Sequence, residues 1–145
     1  MIKEKYKNKL EKLRKFDKDS RSSFSYWWNH WLAFQYVALG YGIWKFKYIF
    51  HDSYKPWLKL FRMPYKKLQT FHRTHSRHHL EWAYNHNWKG VDWEAMVIDW
   101  ECSRFTKLAA QLNARDTMEN ETEHHPEYEK ALRENFEPIL LRLGL

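Results

Sequence analysis

A single cysteine leaves nothing for an intrachain disulfide, so Cys102 reads as a small packed side chain and no oxidising compartment is implied. Glycine and proline are almost as scarce, at four each, which leaves few places for hairpin turns; no segment alternates apolar and polar residues cleanly either. A sheet protein is thereby disfavoured, and an all-α, single-domain helical bundle is expected. Long apolar runs are lacking too. The longest, residues 31–44, is interrupted by Gln35 and is shorter than the roughly 20 residues of a spanning helix, so it reads as a buried helix and no transmembrane segment is expected. The first residues, MIKEKYKNKLEKLRK, are charged from Lys3 onward and lack the apolar core of a secretory signal; they are expected to stay on the chain, with the cytoplasm as default location.

What the chain has in quantity is positive charge, aromatic residues and histidine. The net charge of +7 is uneven: residues 1–115 carry 22 Lys and Arg against 10 Asp and Glu, whereas residues 116–145 carry 3 against 8. A basic body suits an anionic partner such as a nucleotide, a nucleic acid or a membrane surface, and equally suits a plain solvated surface; charge alone does not choose.

Helical periodicity divides the chain into three parts. In residues 1–18, Ile2, Tyr6, Leu10, Leu13 and Phe16 recur at steps of four and three, an apolar stripe that docks a lysine-rich helix on the body or, alternatively, meets lipid. Residues 24–115 form the core: a helix over 24–39 ended by Gly40 and Gly42, a segment 43–50 leading into His51-Asp52, a helical stretch 65–86 and a longest helix over 91–115. Residues 116–124 are polar and acidic, and residues 122–145 supply a C-terminal helix that starts near Pro126 and kinks at Pro138.

The informative feature is an order of side chains. His30, His51-Asp52, the group His72, His75, His78 and His79, and then Asp99 fall on successive helical segments. Imidazole and carboxylate are the usual ligands of zinc, iron and manganese, and bundle interiors build metal sites from inward side chains on facing helices. His75 and His79, four apart, share a helix face that His72 joins, while His78 points partly aside. Asp99 sits in the apolar context Met96-Val97-Ile98-Asp99-Trp100, where a buried charge needs a cation or hydrogen bonds; the alternative is a solvent stripe with Asp92 and Ser103. His124 and His125 belong to the acidic tail and are assigned to solvent.

The order His30, His51-Asp52, histidine helix, Asp99 resembles the H…HD…H…D pattern of the HD-domain superfamily, all-helical and largely metal-dependent phosphohydrolases. The string HDSYK, residues 51–55, is similar to the HDxxK form, which implies that Lys55 lies near a substrate phosphate; Tyr54 stands where many such enzymes have glycine. HDSYK together with HHLEW (78–82) and MVIDW (96–100) more closely resembles a small family of bacterial and phage proteins of no known activity, the DUF5662 type, over about residues 25–110. The resemblance implies an HD-like fold in which His30, His51, Asp52 and Asp99 hold one divalent ion. Asp52 would bridge to a second held by His79 and either His75 or His78, the ions being manganese, iron or zinc, with Asp52 and Lys55 acting in catalysis. The expected activity is hydrolysis of a nucleotide or other small phosphorylated substrate, with Arg73, Arg77 and Lys89 available to recruit it. Two other classes stay open: a nucleic-acid-binding protein or metal-dependent nuclease, suggested by basic and aromatic residues, and a non-catalytic interaction protein with a structural metal.

Overall fold

A computed structural model describes residues 1–109 and 111–145. The fold is all-α: among the described residues the only β-type pairing is an isolated bridge between Phe16 and Lys107. The helices are α1 (Glu4–Glu11), α2 (Phe24–Tyr41), α3 (Lys55–Leu60), α4 (Tyr65–His75), α5 (Leu80–Asn85), α6 (Trp93–Thr106), α7 (Ala114–His124), α8 (Glu129–Ala131) and α9 (Glu137–Leu143), with short 3₁₀ turns at Asp19–Ser22 and Phe46–Phe50. None is long and apolar enough to cross a membrane.

The frame is α2 packed on α6. Ser23 caps α2 by accepting from the Tyr26 amide, and Gly42 ends it in the left-handed conformation, φ +73°. α6 is buried on two sides. Ala95, Ile98 and Cys102 face α1 and α2 in a cluster with Leu10, Phe34 and Val37, while Met96, Val97 and Trp100 face Met118, Leu132, Phe136 and Leu140 of the C-terminal elements. Gly40 is needed where it stands, because a Cβ there would lie 2.7 Å from Ile2 Cγ2, and the Lys3 amide donates to the Gly40 carbonyl at 3.0 Å.

Several helix boundaries differ from the sequence reading, beginning with the helix expected over residues 1–18, which is confined to Glu4–Glu11 and leaves Leu13 and Phe16 beyond its end. The stretch 65–86 is two helices, broken where Ser76 turns extended, φ −98° and ψ 123°. The stretch 91–115 also divides: α6 stops at Thr106, and Asn113 starts α7 by accepting from the Asp116 amide at 2.9 Å. α2 is therefore the longest helix, and the acidic residues 116–124 are helical, anchored by buried Met118. The C-terminal helix takes a π-turn at Leu132–Phe136, just before Pro138, whose missing N–H and ring obstruct continuation of an α-ladder.

Candidate metal centre

Five parts of the chain meet beside the α2–α6 contact. α2 contributes His30, whose ring stacks on Tyr26 one turn earlier. α6 contributes Asp99, which lies between its two buried faces. His51 and Asp52 follow the 3₁₀ turn at Phe46–Phe50, and Asp52 takes φ +55°, a left-handed conformation that aspartate tolerates better than most residues. That turn is held from both sides: the Asp52 carbonyl accepts from the Trp27 indole and from the Lys55 amide, each at 3.0 Å, and the His51 ring lies on Phe34 with centroids 3.6 Å apart. His72 comes from α4, and His78 and His79 from the turn that precedes α5.

The distances define two groups joined through Asp52. In the first, Asp99 Oδ1 accepts from His30 Nε2 at 2.9 Å and lies 3.6 Å from His51 Nε2. In the second, His72, His78 and His79 converge, with His72 Nε2 and His79 Nε2 2.7 Å apart. Asp52 presents Oδ2 to His51 Nε2 at 3.5 Å and to Lys55 Nζ at 2.5 Å, and Oδ1 to His72 Nδ1 at 3.5 Å and His78 Nε2 at 3.8 Å. Tyr54 supports the second group from behind, since its hydroxyl hydrogen-bonds to His72 Nδ1 and, at 2.8 Å, to Ser76 Oγ.

These residues fit a metal ion on two observations. His51 Nε2, Asp52 Oδ1 and His78 Nε2 are buried without a hydrogen-bond partner among the described residues, and such atoms cost about 1–3 kcal/mol each when nothing satisfies them. The same three residues offer ligand atoms that all lie within 4.8 Å of one another. The second observation is charge. Burial alone would raise the Asp52 carboxyl, but the neighbouring His51, Lys55, His72 and His78 outweigh it and hold the group well below the usual carboxylate range. For Asp99 burial is likewise overcome, by the hydrogen bond from His30 and by the His51 imidazole 3.6 Å away. Burial lowers the imidazoles: His72 and His79 drop below the ordinary histidine range, and His78 falls to about 3. Ionised carboxylates beside neutral imidazoles are the protonation states that metal ligation requires. Among the described residues Lys55 is the one ammonium group within ion-pair distance of Asp52 and none is that close to Asp99, which leaves the cluster suited to further positive charge.

His30, His51, Asp52, His78, His79 and Asp99 are therefore brought together, and Lys55 joins them as the ion-pair partner of Asp52. His75 is not. As the last residue of α4 it is exposed, stacked on Phe71 and bonded through Nδ1 to the Phe71 carbonyl, because the chain break at Ser76 removes the four-residue relation to His79. His72, not among the expected ligands, takes the inward place, one turn after buried Leu68, a spacing that could have marked the buried face of α4. His86 is exposed and stacks on Trp82. Of the proposed recruiting cations, Arg73 lines a cavity against His72, His79 and Asp99, Arg77 lies over Trp82 and lines a separate cavity with His51, Asp52 and His78, and Lys89 is exposed. Cys102 is fully buried with its thiol pushed well above its ordinary value by burial, as a packed residue should be.

Compared with protein-family models, curated proteins and solved structures, the chain matches none of them.

Proposed function

We propose that the chain is a metal-dependent phosphohydrolase of HD type acting on a nucleotide or another small phosphorylated molecule. The observation that carries this reading is the set of unpartnered buried atoms on His51, Asp52 and His78, placed where two ligand groups meet. One ion would be held by His30, His51, Asp52 and Asp99, a second by His72, His78 and His79, with Asp52 between them. Bound divalent ions supply Lewis acidity, lowering the pKa of water toward neutrality and offsetting phosphate charge.

The protein's own groups do the rest. Phe34 fixes the plane of His51, and Trp27 and the Lys55 amide hold the Asp52 turn, so the donors are set before a ligand arrives. Tyr54 and Ser76 fix the tautomer of His72: with the proton on Nδ1 donated toward them, Nε2 is left free to coordinate. Lys55 keeps Asp52 ionised. The test is elemental analysis of the purified chain, followed by a screen of phosphate esters with manganese, iron or zinc supplied. Metal uptake with phosphate release from at least one ester supports the reading; no metal overturns it.

A second reading, nucleic-acid binding, draws on Trp57, Leu60 and Phe61, which lie exposed at 63%, 69% and 78% on one face of α3 near Arg62, Lys66 and Lys67. Retention of single-stranded oligonucleotide that weakens steeply with salt would favour it.

A further inference from the structure

The site's surroundings say more about what it takes. A cavity of about 200 Å³ opens against His30, His72, His79 and Asp99, and its remaining wall carries cations from three separate elements. Arg21 comes from the 3₁₀ turn before α2, Arg73 from α4, and Lys107 from just beyond α6, where the backbone bridge to Phe16 fixes its position. Lys55 also touches this cavity, but its ammonium group is already 2.5 Å from Asp52. Arg73 has only a long, exposed pairing with Glu81 at 3.4 Å. Among the described residues, Arg21 and Lys107 make no ion pair and no side-chain hydrogen bond, and Arg21 Nε is buried without a partner. Cations gathered at one cavity, two of them without an ion-pair partner and one partly desolvated, are what an anion receptor looks like before its anion arrives.

The cavity continues into a second, of about 370 Å³, sharing Arg73, His79, Asp99, Ser103 and Lys107 as walls. Beyond them its lining changes character: Leu80, Trp100, Leu112 and Tyr128 are apolar or aromatic, and Glu81 and Glu121 are acidic. Those carboxylates repel a further phosphate, whereas the aromatic wall accepts an uncharged ring or chain.

We propose that Arg21, Arg73 and Lys107 form the receptor for the phosphate of a monoester, whose organic group lies in the adjoining cleft beside Trp100 and Tyr128. The assignment rests on the phosphohydrolase reading of the metal cluster, and it transfers the phosphate-binding role from Lys55, which is engaged with Asp52, to residues outside the HDSYK string.

The test is titration calorimetry of the purified chain with phenylphosphonate and methylphosphonate, which cannot be hydrolysed, with metal content measured on the same samples. Arg21→Gln and Lys107→Met should each weaken phenylphosphonate by about tenfold, the loss expected for one charge-assisted contact, while metal content stays at the parent's value. Lys107→Arg should retain most of the affinity, and Lys89→Met, outside the cavity, should bind as the parent does. Circular dichroism checks that each variant is folded. Phenylphosphonate should bind more tightly than methylphosphonate. Unchanged affinity in both Arg21→Gln and Lys107→Met, or no phosphonate binding by a metal-loaded parent, overturns the receptor; equal affinity for the two phosphonates overturns the placement of the organic group. A parent that binds phenylphosphonate through Arg21 and Lys107 yet takes up no metal upholds the receptor and overturns the metal reading.

Discussion

Asp52 carries more of the site than any other residue. Its two oxygens face different histidine groups, its backbone is left-handed, and its carbonyl is fixed by Trp27. Asp52→Ala should therefore lower bound metal to fewer than one ion per chain, measurable by elemental analysis. His72 and His75 give a sharper comparison because they sit on the same helix and differ in direction. His72→Ala should lower metal content, whereas His75→Ala, acting on an exposed side chain stacked on Phe71, should leave it at the parent's level. Equal loss in both would contradict the placement. Tyr54→Phe removes a partner of a ligand rather than a ligand, and should weaken metal affinity by about 10- to 100-fold without unfolding the chain. The grouping of His30, His51, Asp52 and Asp99 was legible in the sequence because their order resembles the H…HD…H…D pattern and because Asp99, in apolar surroundings, needs a partner. The choice between His72 and His75 was less legible, since it depends on where one helix stops.

At the scale of elements, that stop decides the second histidine group. Had 65–86 been one helix, His75 and His79 would share a face; Ser76 turning extended swings His78 and His79 back toward His72 instead. Periodicity finds a helix's face well and its end poorly, because the end is set by tertiary hydrogen bonds. Here the Asp92 amide donates to the Arg77 carbonyl at 2.9 Å, fixing the turn before α5 from the start of α6. Glu101 does the same for α7. It is fully buried, accepts from the Ala114 amide at 3.1 Å and from the Tyr41 hydroxyl at 3.0 Å, and pairs with Arg104, thereby joining α6, α7 and α2. No sequence pattern marked it, since an acid in a mixed segment reads as surface until the fold encloses it. Glu101→Ala should destabilise the chain by about 2 kcal/mol by stranding the buried Ala114 amide and the half-buried Tyr41 hydroxyl, read as a lower denaturant midpoint.

Across the whole molecule, the basic body and the acidic end meet: Arg115 pairs with Glu137, Arg142 with Glu94, and Glu121 lines the same cleft as Arg73 and Lys107. The all-α architecture followed from scarce glycine and proline, but the cavity did not, because its walls come from residues 21, 73 and 107, far apart in the chain and individually ordinary. The buried cluster also sets the response to pH. His72, His78 and His79 have folded-state values lowered by burial, so below about pH 6.5 the unfolded chain binds more protons than the folded one and stability falls as pH drops. Asp52 and Asp99, held well below the usual range, add a further loss as pH falls through about 4 and lower. Thermal melts should therefore show a Tm that declines between about pH 6.5 and pH 4, and His78→Phe, which cannot take up the proton, should flatten that decline.

The central claim is that these histidines and aspartates hold divalent metal. The most direct measurement is elemental analysis of the chain purified without chelator, then stripped and reloaded separately with manganese, iron and zinc. The account predicts about two ions per chain for the parent and fewer than one for Asp52→Ala. A parent that carries no metal as purified and takes up none of the three would contradict it.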